Sequence, residues 1–191
     1  IHRIHSSNLK VTFVSTLRSF IDDDLLSIRG FATARHVKDF RDYEEWFQRN
    51  RPGEATYNKS FTHNDFHAYN ILVDDGRLSG ILDWNGAIIA EGQVDVAFFS
   101  LLMGAIGYPK VADQFVTEYR KVSNIHLAEL DYYETAIAVL KILQVPLQEK
   151  QMEETGQMEK AEVLRSIMNR IQKHFIKVIE ENTNLSADNL L

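Results

Sequence analysis

The chain has 191 residues and a net charge of −6, and 45% of its residues are apolar and 10% aromatic. This length and apolar content predict one folded domain with a real core and exclude a disordered chain. The negative charge argues against a nucleic-acid partner, which would need a basic face, and slightly favours a cationic one.

Cysteine content and hydropathy indicate the cellular compartment of the protein. The chain contains no cysteine, which excludes disulfides, thiolate zinc sites and cysteine nucleophiles and is typical of a reducing compartment. No apolar run approaches the ~18 residues that a membrane span needs, and residues 1–8 lack the apolar stretch of a signal peptide. We therefore expect a cytoplasmic protein without a membrane partner.

The residues before position 60 predict helices separated by turns. Residues 1–5 resemble the last turn of a helix. Residues 11–28 have apolar side chains near helical spacing, although the acidic residues 22–24 could start a second, shorter helix. A second amphipathic helix is expected over residues 37–48. Residues 57–61 are predicted to be extended.

The residues after position 94 predict further helices. Residues 95–103 are apolar on nearly all sides, which favours a buried helix, and residues 111–122 are amphipathic. A long apolar helix over residues 130–145 is predicted to end at Pro146.

The last part of the chain alternates in polarity. Residues 148–162 are charged and polar and predict an exposed loop, whereas residues 163–179 have a clear helical stripe of apolar side chains. The polar residues from Glu180 onward predict a frayed end.

A hairpin is predicted inside the stretch of residues 60–100, where Asp75-Gly76 is a strong two-residue turn signal between two apolar runs. This turn pairs Val73 with Leu78, Ile71 with Gly80 and Asn70 with Ile81. Asp83 then lies across from Ala68, about two residues from Asn70 along the strand.

The hairpin brings three polar side chains to its open end, because Asp65 lies in the loop just before the first strand. Asn and Asp oxygens are hard ligands that suit Mg²⁺, which usually also takes oxygens from substrate phosphates. Asn70 and Asp83 are therefore predicted to hold magnesium, and Asp65 is left to act as a base. The spacing of His63 and Asp65 to Asn70 is that of the protein-kinase catalytic loop.

The same residues resemble the catalytic core of the aminoglycoside phosphotransferase and choline kinase-like family, which is related to protein kinases. The family pattern is H-G-D-x-x-x-x-N-I-L-V, then I-D-W or I-D-F, then a Gly-Asp-Pro-like turn and D-x-A. The matching segments here are His63-Asn64-Asp65, Asn70-Ile71-Leu72-Val73, Ile81-Leu82-Asp83-Trp84 and Asp95-Val96-Ala97.

The resemblance implies a mainly α (α+β) fold, the helical C-terminal lobe of a protein-kinase-like fold with a central β-hairpin carrying the catalytic loop. It implies an enzyme that transfers the γ-phosphate of ATP or GTP, bound with Mg²⁺, to a hydroxyl of a small molecule. Asp65 would be the catalytic base, Asn70 and Asp83 the metal and nucleotide ligands, Asp95 a brace for the loop through its backbone amides, and His63 a residue that orients the loop.

Four features of this segment need a separate account. His67 stands where the family often has His, which favours a structural role or a contact with the substrate. Asn64 replaces the usual Gly, which is tolerated if the backbone there does not need a positive φ. Glu91-Gly92-Gln93 stands where Gly-Asp-Pro is usual, and Asp95 could also cap the helix that follows it.

The residues before His63 contain neither the family's phosphate-covering loop nor the lysine that pairs with the α- and β-phosphates. We therefore expect residues 1–191 to form a single C-terminal catalytic lobe, with its catalytic and metal-binding core at residues 60–100 and its partner N-terminal lobe missing. We expect little kinase activity from this chain alone.

Two other functions remain open from the sequence. His63, Asp65 and His67 alternate, and together with Asp83 they could form a transition-metal site for hydrolysis. This alternative leaves Asn70 and Asp95 without a role. A degenerate or truncated kinase-like lobe could also act as a non-catalytic binding module.

Overall fold

A computed structural model describes residues 20–53, 59–123, 127 and 129–191. Within these residues the helices are α1 (Phe20–Ala34), α2 (Arg41–Arg49), α3 (Gln93–Ala105), α4 (Pro109–Val122), α5 (Leu130–Glu154) and α6 (Met158–Thr183). The strands are β1 (Lys59–Thr62), β2 (Ile71–Asp74), β3 (Arg77–Ile81) and β4 (Ile88–Glu91). The fold is mainly helical with small sheets, as predicted. None of the described helices is long and apolar enough to cross a membrane.

The strands of the described part form two antiparallel pairs rather than the single hairpin predicted. β2 and β3 are the predicted hairpin, and Asp75 and Gly76 at its turn have φ values of 46° and 71°, as a tight hairpin turn requires. The second pair joins β1 to β4, with Thr62 opposite Ile88. No local turn signal marks this pair, because the whole hairpin lies between its two strands.

The register of the hairpin shifts by one residue. Val73 lies opposite Leu78 as predicted, but Ile71 lies opposite Ile81 instead of Gly80. The shift is a β-bulge, in which one strand accommodates an extra residue. A pattern with a period of two residues cannot reveal such an insertion, so this part of the predicted pairing is wrong.

The core lies where α3, α5 and α6 pack together. Its fully buried side chains include Val96, Ala97, Leu101, Ile137, Val139, Leu143, Phe175 and Ile179. Burial of each large apolar side chain stabilises the fold by about 1.5–3 kcal/mol. The buried helix predicted over residues 95–103 and the apolar stripe predicted over residues 163–179 are therefore confirmed.

α5 continues through Pro146, so the predicted end of this helix is wrong. A proline inside a helix has no N–H to donate to the carbonyl four residues earlier, which here belongs to Ile142. Nη1 of Arg35 donates to this carbonyl at 3.0 Å. The side chain of Arg35, the residue that follows α1, thus replaces the missing helical hydrogen bond.

Residues 148–162 are helical except for a tight turn, so the predicted exposed loop is wrong in extent. The turn between α5 and α6 is centred on Gly156, whose φ is 76°. Across the turn, Arg165 of α6 forms ion pairs with Glu149 and Glu153 of α5. The polar sequence of this segment therefore belongs to solvent-facing helix surfaces.

The residues after α6 are packed against the rest of the molecule, so the predicted frayed end is wrong. Asn184 ends α6 with a φ of 59°, and Ala187 and Leu190 are completely buried. The guanidinium of Arg35 donates to the carbonyls of Leu190 at 2.8 Å and Leu191 at 2.6 Å. The same side chain that supports α5 at Pro146 thus anchors this segment.

The first described helices differ from the prediction in their bounds. α1 extends to Ala34 rather than ending at residue 28, and α2 begins at Arg41 rather than at residue 37. His36 and Asp39 between them both have a φ of 55°, which makes the connection a turn. The helical turns predicted over residues 1–5 and 11–19 lie outside the described residues.

Candidate functional site

The loop that follows β1 is held by the carboxylate of Asp95. Oδ2 accepts a hydrogen bond from the backbone N–H of His63 and Oδ1 accepts one from that of Asn64, both at 2.8 Å. Asp95 is 2% exposed and lies in the first turn of α3, whereas Gly92 is the residue at the helix cap. A buried carboxylate needs such donors, and two parallel bonds fix the orientation of the loop. This is the contact that the resemblance implies for Asp95.

The backbone at Asn64 has a φ of 64°, in the left-handed region that favours glycine. The position therefore does need a positive φ. Asn is one of the few other residues that adopt this region at modest cost, because its short polar side chain can form local hydrogen bonds. The bond from the Asn64 N–H to Asp95 holds the loop in this conformation.

The ring of His63 is completely buried and joins the loop to the end of β3. Its Nε2 lies 2.7 Å from the carbonyl oxygen of Leu82, and because a carbonyl only accepts, Nε2 carries the proton and donates. The ring of Trp84 lies 4.6 Å from the His63 ring between centroids. These contacts suit a residue that orients the loop, which is the predicted role of His63.

The carboxylate of Asp65 is accessible, with 44% of its side chain exposed, and Nε2 of His67 lies 3.5 Å from its Oδ2. The interaction with His67 lowers the pKa of Asp65, and the positive charge of Lys141 acts in the same direction, against burial, which raises it. Asp65 is therefore ionised at neutral pH and able to accept a proton from a group that approaches from solvent.

Asn70 fixes the loop from its other side. It ends a short 3₁₀ turn, and its Nδ2 donates to the backbone carbonyl of Asp65 at 3.0 Å. Since the amide nitrogen points to a carbonyl, the amide oxygen Oδ1 is the atom directed away from this bond. An oxygen in that position is the type of ligand that Mg²⁺ prefers.

Asp83 follows directly after the hairpin. The N–H of Leu82 donates to the carbonyl of Asn70 at 2.8 Å, so Asn70 pairs with Leu82 rather than with Ile81 as predicted. Asp83 is exposed, has a φ of 56°, and its Oδ1 accepts a bond from Nδ2 of Asn85 at 3.0 Å. The bulge thus brings Asp83 one residue closer to Asn70 than the predicted register does.

The predicted site residues therefore fall into two groups. Asp65, His67 and Asn70 are in direct contact, and the hairpin backbone brings Asp83 beside Asn70. His63 and Asp95 lie beneath them and hold the loop rather than facing solvent.

The alternative transition-metal site does not form. Among the residues that the structure describes, no group of three or more His, Asp and Glu side chains is placed to hold a metal ion. His63 is moreover buried, with its Nε2 proton bonded to Leu82. Magnesium needs only one or two protein oxygens beside phosphate oxygens, so Asn70 and Asp83 fit that ion better.

Two residues that the sequence did not predict, one in α3 and one in α5, border the site. Phe98 of α3 lies 6.2 Å from the His67 ring between centroids, and Nζ of Lys141 in α5 lies 5.3 Å from the centroid of the Phe98 ring. The available signal for Lys141 was a single lysine inside a long apolar run. Phe98 carried no such signal, since it is one of many apolar residues in α3.

Comparisons with known proteins identify the family and the fold. A family model described as the phosphotransferase enzyme family matches residues 1–133. Curated protein sequences give no match. Among solved structures, the fold is similar to a candidate aminoglycoside phosphotransferase from Ralstonia eutropha JMP134, with a TM-score of 0.71 and 11% identity over 96% of this chain and 61% of that chain. The predicted mainly α, kinase-like fold is thereby confirmed.

Proposed function

Because the chain belongs to the phosphotransferase enzyme family, we propose that it transfers the γ-phosphate of ATP or GTP to a hydroxyl group of a small molecule. The chain spans 61% of the solved structure to which it is similar, so the activity is proposed for the full-length protein. A cytoplasmic location is proposed on the cysteine-free composition.

The observation that carries the proposal is the double tether of the Asp65 loop. Asp95 holds the two residues before Asp65 by their N–H groups, and Asn70 holds the carbonyl of Asp65 itself. Catalysis of phosphoryl transfer is mostly positioning, and misplacement by about 1 Å can cost roughly 10²-fold in rate. A loop fixed from both sides around an accessible carboxylate meets that requirement.

Asp65 supplies the proton chemistry. In the proposed step the substrate hydroxyl gives its proton to the Asp65 carboxylate while its oxygen forms a bond to the γ-phosphorus. The bond from that phosphorus to the β-phosphate oxygen breaks, and the nucleoside diphosphate leaves. The lowered pKa of Asp65 keeps the carboxylate ionised, and His67 at 3.5 Å stabilises the charge before the proton arrives.

Asn70 and Asp83 are the residues that would hold magnesium with the nucleotide. An amide and a carboxylate oxygen on one hairpin end are the donor types this ion accepts. When bound, the ion neutralises the charge of the phosphates. Asn70 would then serve both the ion, through its oxygen, and the loop, through its nitrogen.

The proposal is tested with full-length protein and nucleotide labelled in the γ-phosphate. We expect the label to move to a small alcohol from an acceptor panel, and to stop moving when EDTA removes magnesium. Release of the label as inorganic phosphate at a rate that no acceptor changes would contradict the proposal.

A further inference from the structure

Phe66 follows Asp65 directly and packs against a small apolar cluster that α3 and α4 form. The buried members of this cluster are Phe99 and Met103 of α3 and Ala112 of α4, and Phe115 of α4 packs against them. The ring of Phe66 lies 5.7 Å from that of Phe99 and 6.0 Å from that of Phe115 between centroids. The residue next to the proposed base is therefore joined to two helices.

The ring of Phe66 also contacts the first residue of the loop. It lies 6.1 Å from the buried ring of His63, with an angle of 66° between the ring planes. Edge-to-face contact of this kind is an arrangement that aromatic rings prefer. Asp65 lies between these two packed residues in the sequence, and 44% of its side chain remains exposed. The two rings thus hold the chain on both sides of Asp65 and leave its carboxylate accessible.

The same cluster holds the far end of the loop. Ile71 follows Asn70 directly and packs against the cluster that Phe66 contacts. Ala68 and Tyr69, which lie between these two apolar side chains, are exposed. The proposed base and the proposed metal ligand are therefore each followed by an apolar residue that packs in one place. One cluster thus supports both functional groups.

We propose that Phe66 is a positioning residue for phosphotransfer: its ring, packed against α3 and α4, holds the carboxylate of Asp65 at the place where the acceptor hydroxyl arrives. The proposal rests on the phosphotransferase function proposed above. The hydrogen bonds of Asp95 and Asn70 act on the loop backbone, whereas a closely packed ring resists movement of the loop over the helices. A displacement of about 1 Å at Asp65 would cost roughly 10²-fold in rate.

The direct test is Phe66→Ala in the full-length protein. We expect kcat to fall by roughly 10²-fold while the affinity for Mg-nucleotide changes by less than about threefold, because Asn70 and Asp83 remain. Phe66→Leu keeps much of the apolar volume and should retain kcat within about threefold. A kcat of Phe66→Ala that equals the wild-type value would overturn the proposal.

Phe40→Ala is the matched control. Phe40 is also partly buried, packs against the main core and stacks on Tyr43 with 5.7 Å between centroids. Its loss should lower the midpoint of denaturant unfolding about as much as the loss of Phe66 and leave the kcat of the folded molecules unchanged. Equal losses of kcat in the two variants would show that any lost aromatic contact lowers activity, against a specific role of Phe66.

A substitution in α4 tests the support without changing the loop. Phe115→Ala removes one wall against which Phe66 packs, so it should also lower kcat, by roughly tenfold. This variant keeps the test available if Phe66→Ala does not fold. An unchanged kcat in Phe115→Ala would contradict the positioning of the loop by α4.

A double-mutant cycle shows whether Phe66 acts through Asp65. In the Asp65→Asn background, Phe66→Ala should lower kcat little further, because the base that Phe66 positions is already absent. If the two losses multiply instead, Phe66 supports a different part of the reaction and the proposal is wrong.

Hydrogen exchange of the loop amides separates failure of this proposal from failure of the phosphotransferase function. Relative to the amides of α6, those of His63 and Asn64 should exchange about tenfold faster in Phe66→Ala than in the wild type. If they do so but the wild type phosphorylates no acceptor, the anchoring by Phe66 stands and the function fails. If the wild type transfers phosphate and Phe66→Ala changes neither exchange nor kcat, the function stands and the anchoring fails.

Discussion

Arg35 and Asp95 hold irregular backbone in two regions of the molecule with side chains of opposite charge. Arg35 donates to the carbonyl of Ile142, which lacks its helical donor because of Pro146 in α5. It also donates to the carbonyls of Leu190 and Leu191 in the segment that follows α6. Asp95 instead accepts from two loop N–H groups, those of His63 and Asn64. In both regions the regular hydrogen-bonding partner is absent, and a charged side chain from a distant part of the sequence replaces it.

The difference lies in what each tether supports. The Arg35 contacts join α5 and the segment after α6 and include none of Asp65, Asn70 and Asp83, so they should contribute mainly to stability. The Asp95 contacts hold the residues next to Asp65, so they should contribute to activity as well. Separate effects on unfolding and on catalysis therefore test whether the two regions are as independent as the structure indicates.

Loss of the Arg35 tether should have the largest effect on stability. Arg35→Met removes hydrogen bonds from a charged donor to three carbonyls, and we expect the free energy of unfolding to fall by about 3 kcal/mol. The kcat of the molecules that remain folded should not change. Denaturant unfolding and an activity assay at the same temperature measure the two quantities.

A second substitution tests whether the bond from Arg35 to the Ile142 carbonyl accounts for part of this stability. Pro146→Ala restores the helical N–H that can donate to Ile142, so in the Arg35→Met background it should recover part of the lost stability. A cycle in which the two substitutions act additively would show that Arg35 does not compensate for Pro146.

Loss of the Asp95 tether should lower activity more than stability. Asp95→Asn keeps the size of the side chain but replaces one acceptor oxygen by an NH₂ that faces a loop N–H. We expect the free energy of unfolding to fall by about 2 kcal/mol and kcat to fall by roughly 10²-fold. Asp75→Asn, at the exposed hairpin turn, is the matched control and should change neither. Equal losses of kcat in both variants would remove the special role of Asp95.

Glu134 in α5 should make a smaller, pH-dependent contribution. Burial raises its pKa from 4.5 to about 7, an interaction with Ser100 opposes this, and the charges of Asp131 and Asp113 add to it. The folded protein therefore keeps a proton that the unfolded chain releases, so stability is lost as pH rises from about 4.5 to 7.

Replacing Glu134 by Gln should remove this loss. We expect Glu134→Gln to resemble the wild type at pH values below the unfolded pKa and to be more stable by about 2 kcal/mol at pH 8. Parallel stability curves for the two proteins between acid and alkaline pH would contradict the raised pKa.

The sequence predicted the helical stripes and the hairpin turn well because both depend on short-range spacing. The apolar positions of α6 repeat at helical period, and the Asp75-Gly76 turn sets the hairpin. The wrong end of α5 arose where a distant residue overrides a local rule. Pro146 normally ends a helix, but Arg35 replaces its missing donor across more than a hundred residues of sequence.

In the candidate site, too, features set by local spacing were predicted and features set by tertiary packing were not. Asp65, Asn70 and Asp83 were identified by spacing, and the structure brings them to one end of the hairpin. The positive charge of Lys141 near Asp65 was not predicted, because it depends on how α5 packs beside the loop. The bulge that sets the position of Asp83 was also missed, since an inserted strand residue leaves no periodic signal.

The central claim is that Asp65 is the base of a phosphotransferase, and the most direct measurement separates chemistry from nucleotide binding. Asp65→Asn in the full-length protein should lower kcat by roughly 10²–10⁴-fold, the usual contribution of a general base, with nucleotide affinity largely retained. Asp75→Asn, an equal change of charge at the exposed hairpin turn, should leave both unchanged. Retained kcat with lost nucleotide affinity in Asp65→Asn would contradict the account.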